Sequence, residues 1–335
     1  MNITRHKTKE RGAALLFALG MLGIFAALGT AYVTYMALEQ QRSYDYVSEV
    51  RARQLAERGI WATVGDIQTA LAKGEMPVVG IREEELFPVY RGVSNNVPEE
   101  WQRRDGRVVV SVEDESAKLN INHAPTRVLQ AMLGIDGRKA RAIRRRLPRP
   151  GEAPTKNQSW FTSVDGLVAR GFLTREALNE LEPQSLLTAH SVADNRNPQG
   201  FINVNTAPKE VLAAVFDAEV AERIVTARAQ EPVEDFAGLL EATEADPATF
   251  NLSVPADGTA PPEIAFESRS FRIVCEAKAR KAGDVRAGCR VEAVVVLSDT
   301  GNAEITYWRE TSLALDDGEE TAELVSNTQQ QVAES

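Results

Sequence analysis

The stretch Ala13-Ala-Leu-Leu-Phe-Ala-Leu-Gly-Met-Leu-Gly-Ile-Phe-Ala-Ala-Leu-Gly-Thr-Ala-Tyr-Val-Thr-Tyr-Met-Ala-Leu38 contains no charged residue. As an α-helix it would be about 39 Å long, which exceeds the roughly 30 Å hydrocarbon core of a bilayer. Residues 1–12, which precede it, contain four basic residues and one acidic residue. Because positively charged flanks stay on the cytoplasmic side, the pattern predicts a membrane-spanning helix with the chain after Leu38 on the opposite side.

A cleaved signal peptide is the alternative interpretation of this segment. Its apolar region would be only about 7–15 residues long and would end at small residues. Gly29-Thr30-Ala31 could serve as the cleavage site, but the apolar pattern continues through Tyr32, Val33 and Met36. This continuation favours a membrane helix that is retained.

The helical pattern extends beyond the apolar stretch. Residues 39–58 are rich in Glu, Gln, Arg and Ala. Apolar residues then recur at intervals of four, three and four residues, namely Ile60, Val64, Ile67 and Leu71. This is the period of a helix with one buried face. We therefore predict one helix from about Ala13 to Lys73, with Gly74 and Pro77 as its end signals and its second half packed on a globular domain.

The residues around Gly12 resemble the leader of type IV pilins and type II secretion pseudopilins. In that family a short basic leader ends in glycine and is followed at once by an apolar helix that continues into a soluble domain. The resemblance implies cleavage between Gly12 and Ala13 by the prepilin peptidase, followed by N-methylation of Ala13. Most members have glutamate at the fifth mature position, which is Phe17 here. An apolar residue at that position is typical of minor pseudopilin K of the type II secretion system (GspK).

Two segments of the chain repeat each other at an offset of 83 residues. Leu119-Asn-Ile-Asn-His-Ala-Pro-Thr-Arg-Val-Leu129 aligns with Ile202-Asn-Val-Asn-Thr-Ala-Pro-Lys-Glu-Val-Leu212, with six identical positions. Each copy predicts a short extended segment and a helix that begins near the Ala-Pro pair. We assign the asparagines of the motif to helix caps and turns and not to catalysis: Asn120, Asn122, Asn203 and Asn205. The duplicated motif also resembles the GspK family, in which such units form a helical domain inserted into the head.

Residues 132–143 resemble a helix-hairpin-helix with a Gly-Ile-Asp-Gly turn. A basic cluster lies on this motif: Arg138, Lys139, Arg141, Arg144, Arg145, Arg146 and Arg149. Because such hairpins can bind DNA phosphates through backbone N–H groups and basic side chains, a membrane-anchored DNA-uptake receptor is the alternative function. Against it, the second copy is acidic and the net charge of the chain is −10, so we do not expect nucleic acid as a partner. The basic cluster can instead form a solvated face or contact an acidic partner.

Four segments are predicted to be strands: residues 108–113, 271–277, 290–297 and 303–309. The first lies more than 150 residues before the others, so the helical repeats interrupt one antiparallel sheet. The predicted fold class is α+β, a long N-terminal transmembrane helix on an antiparallel pseudopilin-like sheet with a large helical insert. The predicted organisation is a leader (1–12), transmembrane helix (13–38), helix continuation and first part of the head (39–115), insert (116–250), C-terminal strands (251–312) and an acidic disordered tail (313–335).

The two cysteines, Cys275 and Cys289, are equally far in sequence from Ala282, the centre of the predicted turn between the second and third of these strands. Strand pairing that is symmetric about Ala282 would place the cysteines opposite each other and allow a disulfide in an oxidising compartment. A register change of one residue removes this arrangement. Two buried free thiols are therefore the alternative.

The sequence offers no catalytic constellation. It contains no nucleophile elbow, phosphate-binding glycine loop or HExxH motif, and its three histidines, His6, His123 and His190, are isolated. Two cysteines cannot form a four-cysteine zinc site. We predict no catalytic residue, no metal ligand and no cofactor. The family resemblance allows for calcium, and loops 194–197 and 299–302 contain oxygen ligands, but their spacing matches no calcium motif.

Taken together, the resemblance implies a minor pseudopilin of the type II secretion system that functions by binding and assembly, not as an enzyme. It would form the pseudopilus tip with minor pseudopilins I and J, contact other pseudopilins and support protein export across the outer membrane. The expected location is the inner membrane, as a single-pass protein with its C-terminal head in the periplasm. A minor pilin of a type IV pilus is a further alternative.

Overall fold

The protein is described by a computed structural model that covers residues 6–72, 89–92, 106–149, 152–181, 186–192, 200–256, 258–281, 284–298 and 301–313. Several sequence-based expectations fall outside these residues. They are the acidic tail, the loop at residues 194–197, the start of the loop at 299–302, Gly74 and Pro77, and the turn residue Ala282.

Helix α1 is one uninterrupted helix, His6–Ala72, in agreement with the predicted span. Its apolar first half is exposed, with Leu16 and Phe17 at 72% and 70% exposure. By length and composition this half is able to cross a membrane. The second half buries one stripe, which includes Ala56, Ile60 and Val64. The helix therefore combines a membrane-anchor segment with a head-packing segment.

Gly59 lies where α1 passes close to the sheet. A Cβ atom at this position would be 2.3 Å from Sγ of Cys275 and 3.2 Å from a methyl group of Val108. These distances leave no room for any side chain. Glycine at position 59 therefore allows the helix to pack directly on the strands.

The sheet contains five strands, whose bounds are β1 Val89–Gly92, β2 Gly106–Asp114, β7 Ser270–Lys281, β8 Asp284–Leu297 and β9 Ala303–Leu313. Their order in the sheet is β1-β2-β7-β8-β9, and every neighbouring pair is antiparallel. The last four confirm the predicted strands and extend each of them, whereas β1 was not predicted. Alternate residues of the strands face α1 and form the sheet core, for example Val110, Ile273 and Val291.

The register of β7 and β8 differs from the one expected for the cysteines. Cys275 pairs with Val291, and Cys289 pairs with Ala277. Two shifts account for this difference: Lys281 pairs with Asp284, which moves the turn centre past residue 282, and a bulge follows at Ala279/Arg280. Both cysteines are buried and free, and burial raises the pKa of Cys275 to about 12. The symmetric register was wrong, and the structure contains the alternative arrangement, two buried free thiols.

A helical insert separates β2 from β7. Its helices are α2 to α8, namely Thr126–Leu133, Gly137–Arg146, Gly166–Ala169, Arg175–Leu181, Lys209–Val215, Ala218–Gln230 and Phe236–Thr243. Two short parallel pairs join distant parts of the insert, β3 (Leu119–Asn120) with β4 (Leu187–Thr188) and β5 (Ile202–Asn203) with β6 (Ile264–Ala265). The insert has its own hydrophobic core, separate from the sheet core.

The insert continues past residue 250, which was its predicted end. Leu252 and Ile264 belong to the insert core, and β6 pairs with β5. The chain returns to the sheet at Ser270, the first residue of β7. The fold is thus α+β as predicted, with a longer insert.

Candidate functional site

Each repeat of the insert contains a pair of helices joined by a tight connection. In the first repeat α2 ends at Gly134, whose φ of 60° is in the left-handed region, and Asp136 caps α3. In the second repeat α6 ends at Phe216, and Asp217 caps α7. In both repeats the connection between the two helices therefore ends in an aspartate, whose side chain accepts a backbone N–H of the second helix. Only the first connection contains the predicted glycine turn.

The four motif asparagines are turn residues and do not cap helices. The N-cap positions of α2 and α6 are Pro125 and Pro208, and neither makes a side-chain cap bond. Proline occupies this position because the first turn of a helix needs no N–H from it. In the turns, Oδ1 of Asn120 accepts from the Asn122 N–H at 2.9 Å, and Oδ1 of Asn203 accepts from the Asn205 N–H at 3.0 Å.

The second asparagine of each motif joins three segments of its repeat. Oδ1 of Asn122 accepts from the Phe161 N–H at 2.8 Å, and its Nδ2 donates to the carbonyls of Phe161 and Ala189. Asn205 does the same with Val233 N–H at 2.8 Å and the carbonyls of Val233 and Phe266. Asn122 is fully buried and Asn205 almost so. The two repeats are recognisable in sequence over only eleven residues. In the structure they also share the hydrogen-bond partners of these asparagines, which lie between 28 and 67 residues from them in sequence.

The first asparagine of each motif binds a serine that follows the paired strand. Nδ2 of Asn120 donates to Oγ of Ser191, and Nδ2 of Asn203 donates to Oγ of Ser268, both at 2.9 Å. The two repeats therefore share one plan, in which an Asn-x-Asn turn ties a helix pair to a later strand. The serines were not predicted from the sequence, because they lie outside the repeated stretch.

In each repeat an arginine side chain donates hydrogen bonds to backbone carbonyls of the Asn-x-Asn turn and its surroundings. Arg144 on α3 donates to the carbonyl of Asn122 at 2.7 Å, and Arg228 on α7 donates to the carbonyls of Val204 and Ala207. Burial lowers the pKa of Arg144, and it lowers that of Arg228 to about 10. Arg144 therefore has a structural role that separates it from the rest of the basic cluster.

Asp114 connects the second repeat to the sheet. This fully buried residue ends β2, and its Oδ2 accepts from Thr206 Oγ1 and Ser268 Oγ, both at 2.5 Å, and from Asn203 Nδ2 at 3.4 Å. Its Oδ1 accepts from the Ser116 N–H at 2.8 Å. Burial raises the pKa of Asp114, and these donors oppose the shift.

Glu115 connects the first repeat to the sheet. Its carboxylate accepts from Lys118 Nζ at 2.8 Å, from Thr188 Oγ1 at 2.5 Å, and from Nε and Nη2 of Arg272 at 2.8 and 2.7 Å. Arg272 also pairs with Glu292 on β8. Burial alone would raise the pKa of Glu115, but Lys118 and Arg272 outweigh it and hold the pKa well below its usual range.

We name Asp114 and Glu115 together the acidic junction. Asp114 is the last residue of β2 and Glu115 the first residue of a 3-10 turn, and each acid contacts a different repeat. Neither residue was predicted from the sequence as a functional position. The available signal was a run of acidic residues, Glu113-Asp114-Glu115, directly after the apolar strand pattern of residues 108–112. An acidic side chain that is buried next to such a strand requires a hydrogen-bonded or charged partner.

The side chains of the basic cluster are exposed, except for Arg144, which is only partly exposed. The backbone donors of the neighbouring hairpin are not free to bind a phosphate. Oδ1 of Asp136 accepts the N–H groups of Arg138 and Lys139, both at 2.8 Å. These are the backbone donors that a helix N-terminus would present to a phosphate. The hydrogen bond from the backbone N–H of Lys139 and, to a smaller extent, the one from Arg138 keep the pKa of Asp136 below its usual value. A negative charge therefore occupies the site. This geometry counts against the DNA-receptor alternative.

The predicted isolated histidines remain apart. His123 packs against Trp160 at a ring distance of 5.3 Å, and His190 packs against Tyr307 at 4.7 Å. In the described part of the chain no three His, Cys, Asp or Glu side chains are grouped so that they could hold a metal ion.

Comparison with known proteins gives two findings. Residues 202–254, which contain β5 and α6 to α8, match the family model of type II secretion system (T2SS) protein K. A chain of the GspK-GspI-GspJ complex from the enterotoxigenic Escherichia coli type 2 secretion system superimposes with a TM-score of 0.49 and 14% identity, covering 83% of this chain and 100% of that chain. No protein with curated annotation matches the sequence. Residues 202–254 of this chain are therefore similar to protein K of the type II secretion system.

Proposed function

We propose that this protein is a minor pseudopilin that forms the tip of a type II secretion pseudopilus together with minor pseudopilins I and J. The observation on which this proposal depends most is the family match over the second repeat of the insert. The solved E. coli complex contains GspI and GspJ together with GspK, and we propose the same partnership for the present chain. The role is one of assembly and requires no catalytic turnover.

The geometry of the head suits a tip. Nη2 of Arg53 on α1 contacts Oε1 of Glu310 at 3.0 Å, and farther along the helix Nε2 of Gln68 donates to the Gly301 carbonyl at 2.8 Å. Helix α1 therefore runs along β9 from the end near residue 310 to the end near residue 301. Residue 68 lies about 45 Å beyond Leu38 at 1.5 Å per residue.

The insert emerges at this far end of the sheet. Ser270 pairs with Val296 and Leu297 pairs with Ala303, so the start of β7 lies at the Gly301 end, next to Asp114. A bulky insert in this position would obstruct another subunit stacked above it. A subunit that caps the filament has no such neighbour, which supports placement at the tip.

The membrane part of the proposal rests on α1. We propose that Ala13–Leu38 anchors the protein in the inner membrane, that the head lies in the periplasm, and that prepilin peptidase cleaves between Gly12 and Ala13 before Ala13 is methylated. The exposed apolar half of α1 supports this assignment, because such a surface is stable in lipid. Other pseudopilins would contact the same helix in the filament. Calcium binding, which the family resemblance allows without assigning ligands, is testable by calcium-dependent thermal stability.

Coexpression tests the proposed partnership. The full chain and minor pseudopilins I and J from the same organism would be extracted in mild detergent and analysed by size exclusion with native mass spectrometry. We expect a complex with one copy of each subunit. Exclusive association with the minor pilins of a type IV pilus would contradict the proposal and favour the pilin alternative.

A further inference from the structure

We infer that the exposed basic side chains of α3 form a docking surface for an acidic surface of another protein. We name these side chains the α3 basic face: Arg138, Lys139, Arg141, Arg145 and Arg146. The inference deepens the proposed function, on which it depends for the position of the insert away from the membrane.

The charge of α3 is largely uncompensated within the described residues. The helix has six basic residues in ten and no acid. None of the five side chains of the α3 basic face forms an ion pair with any residue that the structure describes. The second repeat is acidic instead, and its bases Arg223 and Lys209 are paired with Glu219 and Glu222. The two copies share a fold and differ in surface charge.

Repulsion between neighbouring arginines opposes the stability of the helix, whereas Arg145 and Arg146 in its last turn also interact favourably with the helix dipole. Arg138, Arg141 and Arg145 follow one another at intervals of three and four residues, which places like charges on adjacent turns of one face. Arg146 is also close enough to Arg170 to lower its pKa, although burial contributes more to that shift. The fold does not use these side chains, whereas it does use Arg144. A surface that costs stability without an internal role points to a partner.

The chemistry of the surface selects among anionic partners. Arginine side chains match both carboxylates and phosphates in two-point contacts, so the surroundings must decide between them. Phosphate binding at the hairpin is opposed by Asp136, which already accepts both N–H groups of the turn. Lipid headgroups of the anchoring membrane are also excluded as a ligand, because the insert leaves the sheet about 45 Å along α1 from Leu38. An acidic protein surface therefore remains as the ligand, and it would contact the α3 basic face at the end of the head that lies away from the membrane.

Fluorescence anisotropy tests this inference with the detergent-solubilised full chain. The probe is a fluorescein-labelled glutamate-rich peptide, and a duplex oligonucleotide of equal charge serves as the competing ligand. We expect R138Q/R141Q/R145Q to weaken peptide binding at least tenfold, and R138K/R141K/R145K, which keeps the charge and loses the two-point contacts, to weaken it less. The matched control is R175Q/K209Q/R290Q, which removes three positive charges that already have carboxylate partners, and we expect a change below twofold.

Besides an absence of acidic-peptide binding, two results would overturn the inference. One is equal weakening in the control variant, which would mean that only the overall charge matters. The other is tighter binding of the oligonucleotide than of the peptide, which would restore the nucleic-acid alternative. A chain that assembles with minor pseudopilins I and J and yet binds no acidic peptide would contradict this inference and leave the proposed function intact.

Discussion

Glu115 and Arg272 are 157 positions apart in the chain and are joined by two hydrogen bonds of 2.8 and 2.7 Å. Glu115 begins the insert, and Arg272 belongs to β7, the strand that receives the chain when the insert ends. The pair therefore fixes the first repeat to the sheet at the point where the insert starts.

Replacing Arg272 by methionine should destabilise the protein by about 3–5 kcal/mol, because it leaves the charge of Glu115 buried without its main partner. Urea unfolding followed by circular dichroism measures this change. Arg290→Met removes an exposed pair with Glu276 and should cost about 0–1 kcal/mol. Equal losses in the two variants would show that the buried pair does not stabilise the junction.

The two acids of the acidic junction should make stability depend on pH in opposite senses. The pKa of Glu115 in the folded protein lies below the ordinary value of 4.5, so its contribution is complete above pH 4.5 and is lost as the pH falls further. Asp114 acts in the opposite sense, because its raised pKa means that its contribution is lost as the pH rises.

Thermal unfolding between pH 3 and pH 7 tests this balance. We expect Glu115→Gln to be less stable than the parent at pH 7 and to lose less stability on acidification below pH 4.5. Glu276→Gln, at an exposed position, is the control and should follow the parent. A parent-like acid dependence in Glu115→Gln would contradict the assignment.

Asn122→Ala and Asn205→Ala should have matching effects on their own repeats. Each removes three hydrogen bonds to buried backbone, and each unpaired group costs about 1–3 kcal/mol. Hydrogen exchange with mass spectrometry should show faster exchange at the Phe161 amide in the first variant and at the Val233 amide in the second. Thr226→Ala, which loses one exposed bond, is the control. Exchange that rises equally in both repeats would indicate that they unfold as one unit.

Gly59→Ala should destabilise the head by about 1–3 kcal/mol, because the added methyl would overlap Sγ of Cys275. Cys275→Ala should restore part of the loss by removing the sulfur atom. Gly65→Ala is the matched control on the same helix. A Cβ there meets nothing within 4 Å, and the change should stabilise by up to about 1 kcal/mol. A stabilising Gly59→Ala would contradict the close approach of α1 to β7.

Processing at the N-terminus is tested by intact mass. Membrane-extracted protein should begin at methylated Ala13, and replacing Gly12 by valine should leave the leader attached. A mature protein that begins at Met1 or near Val33 would contradict the pseudopilin leader and support, in the latter case, a cleaved signal peptide.

Local patterns predicted the elements of this fold well. The apolar spacing of Ile60, Val64 and Ile67 located the buried stripe of α1, and alternating valines located β2. The cysteine register could not be predicted, because a bulge at Ala279/Arg280 leaves no mark in composition. The contacts of Asp114 and Glu115 were also out of reach, since their partners lie up to 157 residues away and no local period links them.

Asp114 at the end of β2 pairs directly with Phe271 at the beginning of β7, so the two ends of the insert are neighbours in the sheet. The strands would form the same antiparallel ladder if a short hairpin connected them. Closing a longer loop between fixed ends adds only about 0.6 kcal/mol for each doubling of its length. The head could therefore acquire and duplicate its insert without a change in strand register, which explains how one small sheet can present a large helical insert.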